Sequence, residues 1–162
     1  MTSQGSLMFT KNSSIKTLII ASTLFASTSV LAHTFNEADK AIAYRQAAFT
    51  MIAGNVSEMG EMIKGKTDWS DAIFSKRANQ LSQLTLMPLD AFYVEGSDKG
   101  KTNALPKVWT NFPDFESRLA QFQEDVAALA SISDKGDKDA IRKAFGKTVK
   151  NCKACHTDYK AK

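Results

Sequence analysis

The segment "AFGKTVKNCKACHTDYK", residues 144–160, combines a helical apolar pattern with the only two cysteines of the 162-residue chain. The pattern starts at Ile141, three residues before this segment. It continues at spacings of three and four through Phe145, Thr148, Cys152 and Cys155. This spacing places them on one stripe of an α-helix. His156 follows the second cysteine directly and shares a helix face with both thiols. The segment therefore predicts an amphipathic helix that presents two thiols and an imidazole together.

Three further segments repeat apolar side chains at helical spacing and predict three more helices. The members of these stripes are Ile42, Phe49, Ile52, Val56, Met59 and Ile63, then Ile73, Phe74, Leu81, Leu84 and Met87, then Phe115, Leu119, Phe122, Val126 and Leu129. The sequence shows neither the alternating pattern of β-strands nor an internal repeat. The chain is therefore predicted to be all-α.

The connections between these segments predict how the helices are joined. Thr67 or Asp68 is expected to cap the second helix. Pro88 is expected to end that helix and to open a longer connection, whose flexible part is residues 95–101. Pro113 suits the first turn of the third helix. Two short connections and one longer connection predict an antiparallel, up-down-up-down four-helix bundle.

Residues 1–32 are predicted to be a cleaved secretory signal peptide. Lys11 and Lys16 precede an uncharged apolar stretch that ends on the small-x-small triplet Val-Leu-Ala at 30–32. This stretch is too short and too rich in Ser and Thr for a transmembrane helix. The mature protein would then be residues 33–162, which is the size of one domain.

The net charge of the mature chain and its predicted export limit the functions that the protein can have. Over residues 33–162, 19 Lys and Arg oppose 17 Asp and Glu, a balance that does not favour nucleic-acid binding. Export from a Gram-negative cell implies the oxidising periplasm, where a lone cysteine pair can form a disulfide. The histidine beside the pair favours another use of the thiols.

The C-x-x-C-H spacing of Cys152, Cys155 and His156 is the attachment signal of c-type haem. On one helix face the two thiols can form thioethers with the two vinyl groups of the haem, and the imidazole can reach the iron. A structural zinc site needs four ligands, and only His33 could add to these three. A redox-active cysteine pair would need a βαβ setting, which the sequence does not predict. Covalent haem c is the predicted cofactor, with a disulfide or redox pair and a metal site as alternatives.

The residues opposite His156 decide what the iron can bind. In an antiparallel bundle the start of the first helix lies level with the end of the fourth, so Arg45 and Phe49 are expected beside the haem. Arg45 lies on the core-facing stripe, so we expect its guanidinium to contact a haem propionate. The alternatives are that the side chain extends to the rim of the core or pairs with a protein carboxylate. Phe49 has no donor atom for iron and is expected to form an apolar lid, or simply part of the core.

The methionines differ in whether they are expected close enough to the iron to be its sixth ligand. Met59 and Met62 are expected ~20–25 Å from the haem level at the helical rise, and Met51 is expected to point away from the core. Met87, at the end of the second helix, is at the right level, although methionines at helical spacing more often fill a core. His33 could reach the iron only as a terminus. The sequence therefore favours a five-coordinate iron, with ligation by Met87 as the alternative.

Over the whole mature chain the sequence resembles the cytochrome c′ family, the class II c-type cytochromes. The resemblance rests on "YRQAAFTMIAGNVSEM" (44–59), "ALPKVW" (104–109) and the C-x-x-C-H segment at 144–160, which is the most specific of the three. The family implies one covalent haem c per chain. The chain departs from the family at Lys160, where many members have an arginine, and in the loop 93–103, which is a few residues longer than usual.

The resemblance also assigns roles to single residues. It implies that Arg45 and Gln46 contact a haem propionate. It places Phe49 at the distal position, where low-spin relatives carry a methionine ligand, so the chain resembles the high-spin, five-coordinate branch. It makes Thr102 and Asn103 candidates for contact with the haem edge.

These residues favour a periplasmic haem protein that binds NO, and more weakly CO, and discriminates against O₂, because an apolar distal side offers bound O₂ no hydrogen-bond donor. An electron carrier is the alternative, since the fourth helix is a basic region that could steer an acidic redox partner. A peroxidase would need a distal acid–base group, which the sequence does not predict, so no enzymatic activity is expected.

The first helix is predicted to carry a second stripe, directed away from the core, made of Met51, Asn55, Glu58 and Met62. The cytochrome c′ family commonly dimerises through its first two helices. The resemblance therefore implies a homodimer that uses this stripe.

Overall fold

The structure is a computed structural model that describes residues 37–162, so the predicted signal peptide lies outside the described residues. The elements are α1 (Ala38–Ile63), α2 (Asp71–Leu84), a 3-10 helix (Leu89–Phe92), the one-turn α3 (Lys107–Thr110), α4 (Phe112–Ser133) and α5 (Lys138–Tyr159). None of the helices within residues 37–162 combines the length and the apolar character needed to cross a membrane.

The four long helices α1, α2, α4 and α5 form the predicted bundle. Along the chain α1 packs on α2, α2 packs on α4, and α4 packs on α5. The four helices share one core, and its buried members are Ile52, Met59, Met62, Phe74, Ala78, Leu81, Leu119, Phe122, Val126, Leu129, Ala130, Ile141 and Phe145. At Gly60, an added Cβ would lie 3.6 Å from the ring of Phe145, so α1 and α5 approach closely there. The predicted stripes of the third and fourth helices are confirmed.

Two predicted helix boundaries were wrong. The second helix is capped by Ser70, not by Thr67 or Asp68, because Ser70 has an extended backbone and its hydroxyl accepts a hydrogen bond from the backbone N–H of Ile73. The same helix ends at Leu84, before Pro88, because the backbone after it tightens into i→i+3 turns. The prediction of Pro113 in the first turn of α4 is confirmed.

Met62 was predicted on an outward stripe and is instead 5% exposed, within the main core. It follows Met59 by three residues, and at the end of α1 both side chains lie on the face that packs on α2. Met51 is 45% exposed, as expected. The outward stripe of α1 is therefore shorter than predicted.

The long connection between α2 and α4 covers a second, aromatic cluster made of Phe92, Val108, Phe115 and Tyr159. Residues 95–101 were predicted to be its flexible part, but Ser97 within them is completely buried. Gly96 and Gly100 have positive φ values of 77° and 94°, which lets the backbone turn sharply on both sides of Ser97. This segment is held against α1 by polar contacts.

Candidate haem site

The last turns of α5 hold Cys152, Cys155 and His156 at the boundary between the two clusters. Cys152 packs against the main core, and Cys155 packs against the aromatic cluster. Both are free thiols and half-buried, while His156 on the same helix is exposed. The predicted convergence of two thiols and one imidazole is therefore present in the structure.

An open groove of about 520 Å³ runs along this part of α5, and Cys152 and His156 line it. Val149 contributes an apolar wall, and Lys153 and Lys160 line the same groove. The groove gives a flat cofactor access to the Cys152 thiol and the His156 imidazole from one side.

Burial controls the protonation of these groups. It raises the pKa of Cys152 to about 11. It also raises the pKa of Cys155, where the charge of Arg118 opposes the shift and the charges of Asp114 and Asp158 add to it. Partial desolvation by neighbouring groups lowers the pKa of His156 despite its exposed surface, and the positive charge of Lys160 lowers it further. At neutral pH the imidazole is therefore neutral, which is the form that binds a metal.

Arg45 is 2% exposed, and its guanidinium is held by the connection between α2 and α4. Its two terminal nitrogens donate to the carbonyl of Ser97 at 2.6 Å, the Ser97 hydroxyl at 3.1 Å, the Thr102 hydroxyl at 3.1 Å and the Ala91 carbonyl at 3.4 Å. The guanidinium carbon also lies 4.5 Å from the centroid of the Phe92 ring. These acceptors all belong to the protein, so contact with a propionate stays a prediction.

The charge of Arg45 has no carboxylate in hydrogen-bond contact within the described residues. Burial lowers the pKa of Arg45 to about 10, and the nearby charge of Asp98 partly opposes this shift. The guanidinium is therefore still charged at neutral pH. Trp109, whose ring centroid lies 5.2 Å from it, contributes a second aromatic contact.

The other predicted contacts of the haem edge join α1 to the end of α5. Gln46 donates to the carbonyl of Lys101 at 2.9 Å. Thr102 accepts from Arg45, and the carbonyl of Asn103 accepts from the backbone N–H of Ala161 at 2.8 Å. The structure thus brings Gln46, Thr102 and Asn103 into one strip that runs from α1 to the chain end beside the groove.

Phe49 is half-buried and contacts both the main core and the aromatic cluster, the same two clusters that hold the cysteines. Its ring meets Phe92 edge to face, with centroids 6.5 Å apart. Met87 is half-buried after the end of α2 and belongs to neither cluster. Of these two residues, only Phe49 contacts the clusters against which Cys152 and Cys155 pack.

A buried carboxylate that was not predicted from the sequence lies next to the site. Asp125 in α4 is 4% exposed and accepts from Asn151, the residue before Cys152, and from Gln121 at 3.2 Å. Lys147 of α5 forms an ion pair with it at 2.8 Å. The signal was available, because Asp125 falls three residues after Phe122, where the apolar stripe would continue.

The comparisons with known proteins agree with this geometry. The sequence profile of the family described as Cytochrome C' matches residues 40–160. The cytochrome c' of Alcaligenes xylosoxydans xylosoxydans is 32% identical over 130 residues, which cover 79% of this chain and 98% of the relative. The chain belongs to the cytochrome c′ family. The cytochrome c' of Rubrivivax gelatinosus is 35% identical over 129 residues, which cover 79% of this chain and 99% of that relative.

Solved structures of cytochromes c′ show the same fold. Cytochrome c prime from Shewanella frigidimarina aligns with a TM-score of 0.76 and 45% identity, covering 79% of this chain and 99% of that one. A nitrosyl complex of a variant of cytochrome c prime from Alcaligenes xylosoxidans aligns with a TM-score of 0.73 and 32% identity, again covering 79% and 99%.

Cytochromes c′ carry covalently bound haem c, and this chain presents a donor set that fits it. Cys152 and Cys155 offer two thiols on one helix face, and His156 offers a neutral imidazole beside the open groove. Within residues 37–162, no group of three or more His, Cys, Asp or Glu side chains is placed to hold a metal ion by itself.

Asp125 is expected to stabilise the haem-bearing end of α5 against α4. Changing Asp125→Ala removes the acceptor shared by Asn151, Gln121 and Lys147 and should lower the free energy of unfolding by about 2 kcal/mol. Urea unfolding of the holoprotein measures the change. The matched control is Asp134→Ala, an exposed carboxylate that also accepts from side chains. An equal loss in both variants would contradict a special role for Asp125.

Proposed function

We propose that residues 33–162 form a periplasmic haem c protein whose iron is five-coordinate and high-spin and binds NO and CO while discriminating against O₂. The observation that carries the proposal is the position of Phe49, which contacts both clusters that hold Cys152 and Cys155. When bound, haem c would supply an iron that His156 can ligate and that can bind a small gas molecule. The nitrosyl complex of the Alcaligenes relative supports the choice of NO.

The chain's own residues define what can enter this position. His156 would hold the iron with a neutral imidazole, and the two thiols would attach the cofactor to α5. Phe49 excludes water with an apolar ring and has no N–H or O–H group to donate to bound O₂. Cys152 and Cys155 are assigned to attachment and Phe49 has no ionisable group, so none of these three residues supplies the acid–base group that peroxide chemistry needs. We therefore propose ligand binding without enzymatic turnover.

Phe49→Ala tests this assignment directly. Removing the ring opens the distal side, so the association rate constants of CO and NO should rise by roughly ten to a hundredfold, measured by stopped-flow or flash photolysis of the ferrous protein. Phe49→Leu is the matched control, because it keeps an apolar side chain of reduced size and should give an intermediate rate. Unchanged rates in Phe49→Ala would mean that Phe49 does not cover the iron.

The alternative is a six-coordinate, low-spin electron carrier with Met87 as the sixth ligand. Met87→Ala separates the two functions. Five-coordinate iron predicts the same ferrous spectrum in the variant and the parent. A change from low-spin to high-spin on this substitution would establish the alternative.

Export follows as part of the proposal, with cleavage of the signal peptide after Ala32. The intact mass of the protein isolated from the periplasm should correspond to a chain that begins at His33 and carries one haem. A mass that includes residues 1–32 would contradict export by cleavage.

We further propose that α1 and α2 mediate a homodimer. Met51 on α1 and Ile73 on α2 are each 45% exposed, so both helices offer apolar side chains to a partner. Glu58 and Arg77 join the two helices by an ion pair at 2.5 Å. Sedimentation velocity should give a dimer for the parent and a monomer for the double variant Met51→Glu/Ile73→Glu. A monomeric parent at micromolar concentration would exclude the dimer.

A further inference from the structure

Charge is distributed unevenly between α5 with the chain end and the rest of the described protein. Residues 138–162 contain eight Lys and Arg against two Asp and Glu, whereas residues 37–137 contain 11 against 15. The bundle therefore has a basic side, which is the helix that carries the haem attachment residues, and an acidic remainder.

Only some of the α5 cations are neutralised by neighbours. Lys147 pairs with Asp125, and Arg142 pairs with Asp139. Among residues 37–162, no ion pair is formed by Lys150, Lys153 or Lys160. These three exposed ammonium groups keep their full charge for an external partner.

The unpaired cations lie beside the haem groove. Lys153 and Lys160 line it together with His156, and Val149, which is 38% exposed, also lines it. Lys150 follows Val149 and lies one turn before Lys153 on an exposed face. A small apolar centre with a basic rim is thus present where a cofactor edge would reach solvent.

We propose that the surface formed by Val149, Lys150, Lys153 and Lys160 is the docking site of an acidic electron-donor protein that reduces the haem. This inference rests on haem binding at His156. The donor would give one electron to the ferric iron, which becomes ferrous, and no atom would be transferred. Electrostatic steering of an acidic partner brings its redox centre to this groove, and the apolar Val149 contributes contact area.

The test compares two double charge reversals in the holoprotein. Lys150→Glu/Lys153→Glu changes the proposed surface. Lys76→Glu/Lys135→Glu changes the net charge equally at two exposed lysines that also lack ion pairs among the described residues. Lys160 is left unchanged, because its charge lowers the pKa of His156.

Two readouts are used, with probes of known charge. The first probe is the dianion of ferrous EDTA, which reduces the ferric protein and becomes ferric EDTA. At low ionic strength this reduction should slow about tenfold in the surface variant and about twofold or less in the control. The parent and both variants should converge in 1 M salt, where charges are screened. Calorimetric titration with poly-L-glutamate should show a loss of affinity in the surface variant only.

Equal effects in the two variants would assign the steering to net charge and overturn the proposal, as would unchanged rates. The protein could instead bind phosphatidylglycerol vesicles more tightly than poly-L-glutamate and lose this binding in the surface variant. That result would identify an anionic lipid surface as the partner. The outcome is separable from that of gas binding, because a ferrous spectrum unmoved by CO would refute the proposed function without changing these salt-dependent rates.

Discussion

Replacing both cysteines, in Cys152→Ala/Cys155→Ala, is expected to give a protein without covalently attached haem. The two thiols are the only ones in the chain; Cys152 lines the groove, and Cys155 lies one turn further along α5, against the aromatic cluster. Without them no thioether can form, so denaturation should release any haem that His156 still holds. Haem-stained gels and the intact mass under denaturing conditions measure the loss.

The single variants sharpen this expectation. Cys152→Ala and Cys155→Ala should each keep one thioether, and therefore covalent haem at reduced yield. Persistence of haem in the double variant would place the attachment elsewhere. A parent protein that carries no covalent haem and shows no free thiol after denaturation would favour the disulfide alternative.

Arg45→Ala is expected to produce the largest loss of stability among single substitutions. The change removes four hydrogen bonds to the segment 91–102 and two aromatic contacts, and it leaves the carbonyl of Ser97 buried without its donor. One unsatisfied buried group and two lost cation–π contacts together amount to about 3 kcal/mol. Thermal unfolding of the holoprotein should show a midpoint lower by roughly 10 °C.

A double-mutant cycle identifies what Arg45 contacts. If the guanidinium acts through the connection, Arg45→Ala and Thr102→Ala should be strongly non-additive, because the two side chains are 3.1 Å apart. Arg45→Lys keeps the charge but cannot reproduce the forked contacts, so it should recover only part of the stability. Additive effects of Arg45→Ala and Thr102→Ala would contradict this account and leave a propionate as the main partner.

The helices and the placement of Cys152, Cys155 and His156 together on one helix could be predicted because their patterns are local. The stripe from Phe115 to Leu129 and the spacing of Cys152, Cys155 and His156 depend only on helical geometry. The burial of Arg45 was also foreseeable, since a charge on a core-facing stripe needs partners. These features need no knowledge of how distant segments meet.

The contacts of Arg45 and Asp125 required the tertiary structure. Ser97 is 52 residues from Arg45, and nothing in a polar, glycine-rich segment indicated that it would be buried. Asn151 is 26 residues from Asp125, and only the packing of α4 on α5 brings them together. Met62 was misplaced for a similar reason, because the position of α2 decides which side of the end of α1 is covered.

The most direct test of the central claim is the absorption spectrum of the holoprotein, ferric and ferrous, before and after addition of NO and then CO. We expect high-spin, five-coordinate spectra that shift with each gas, since Phe49 supplies no ligand to the iron. A low-spin ferrous spectrum that CO does not change would reveal a sixth ligand from the protein and contradict the account, and Met87 would be the first residue to replace.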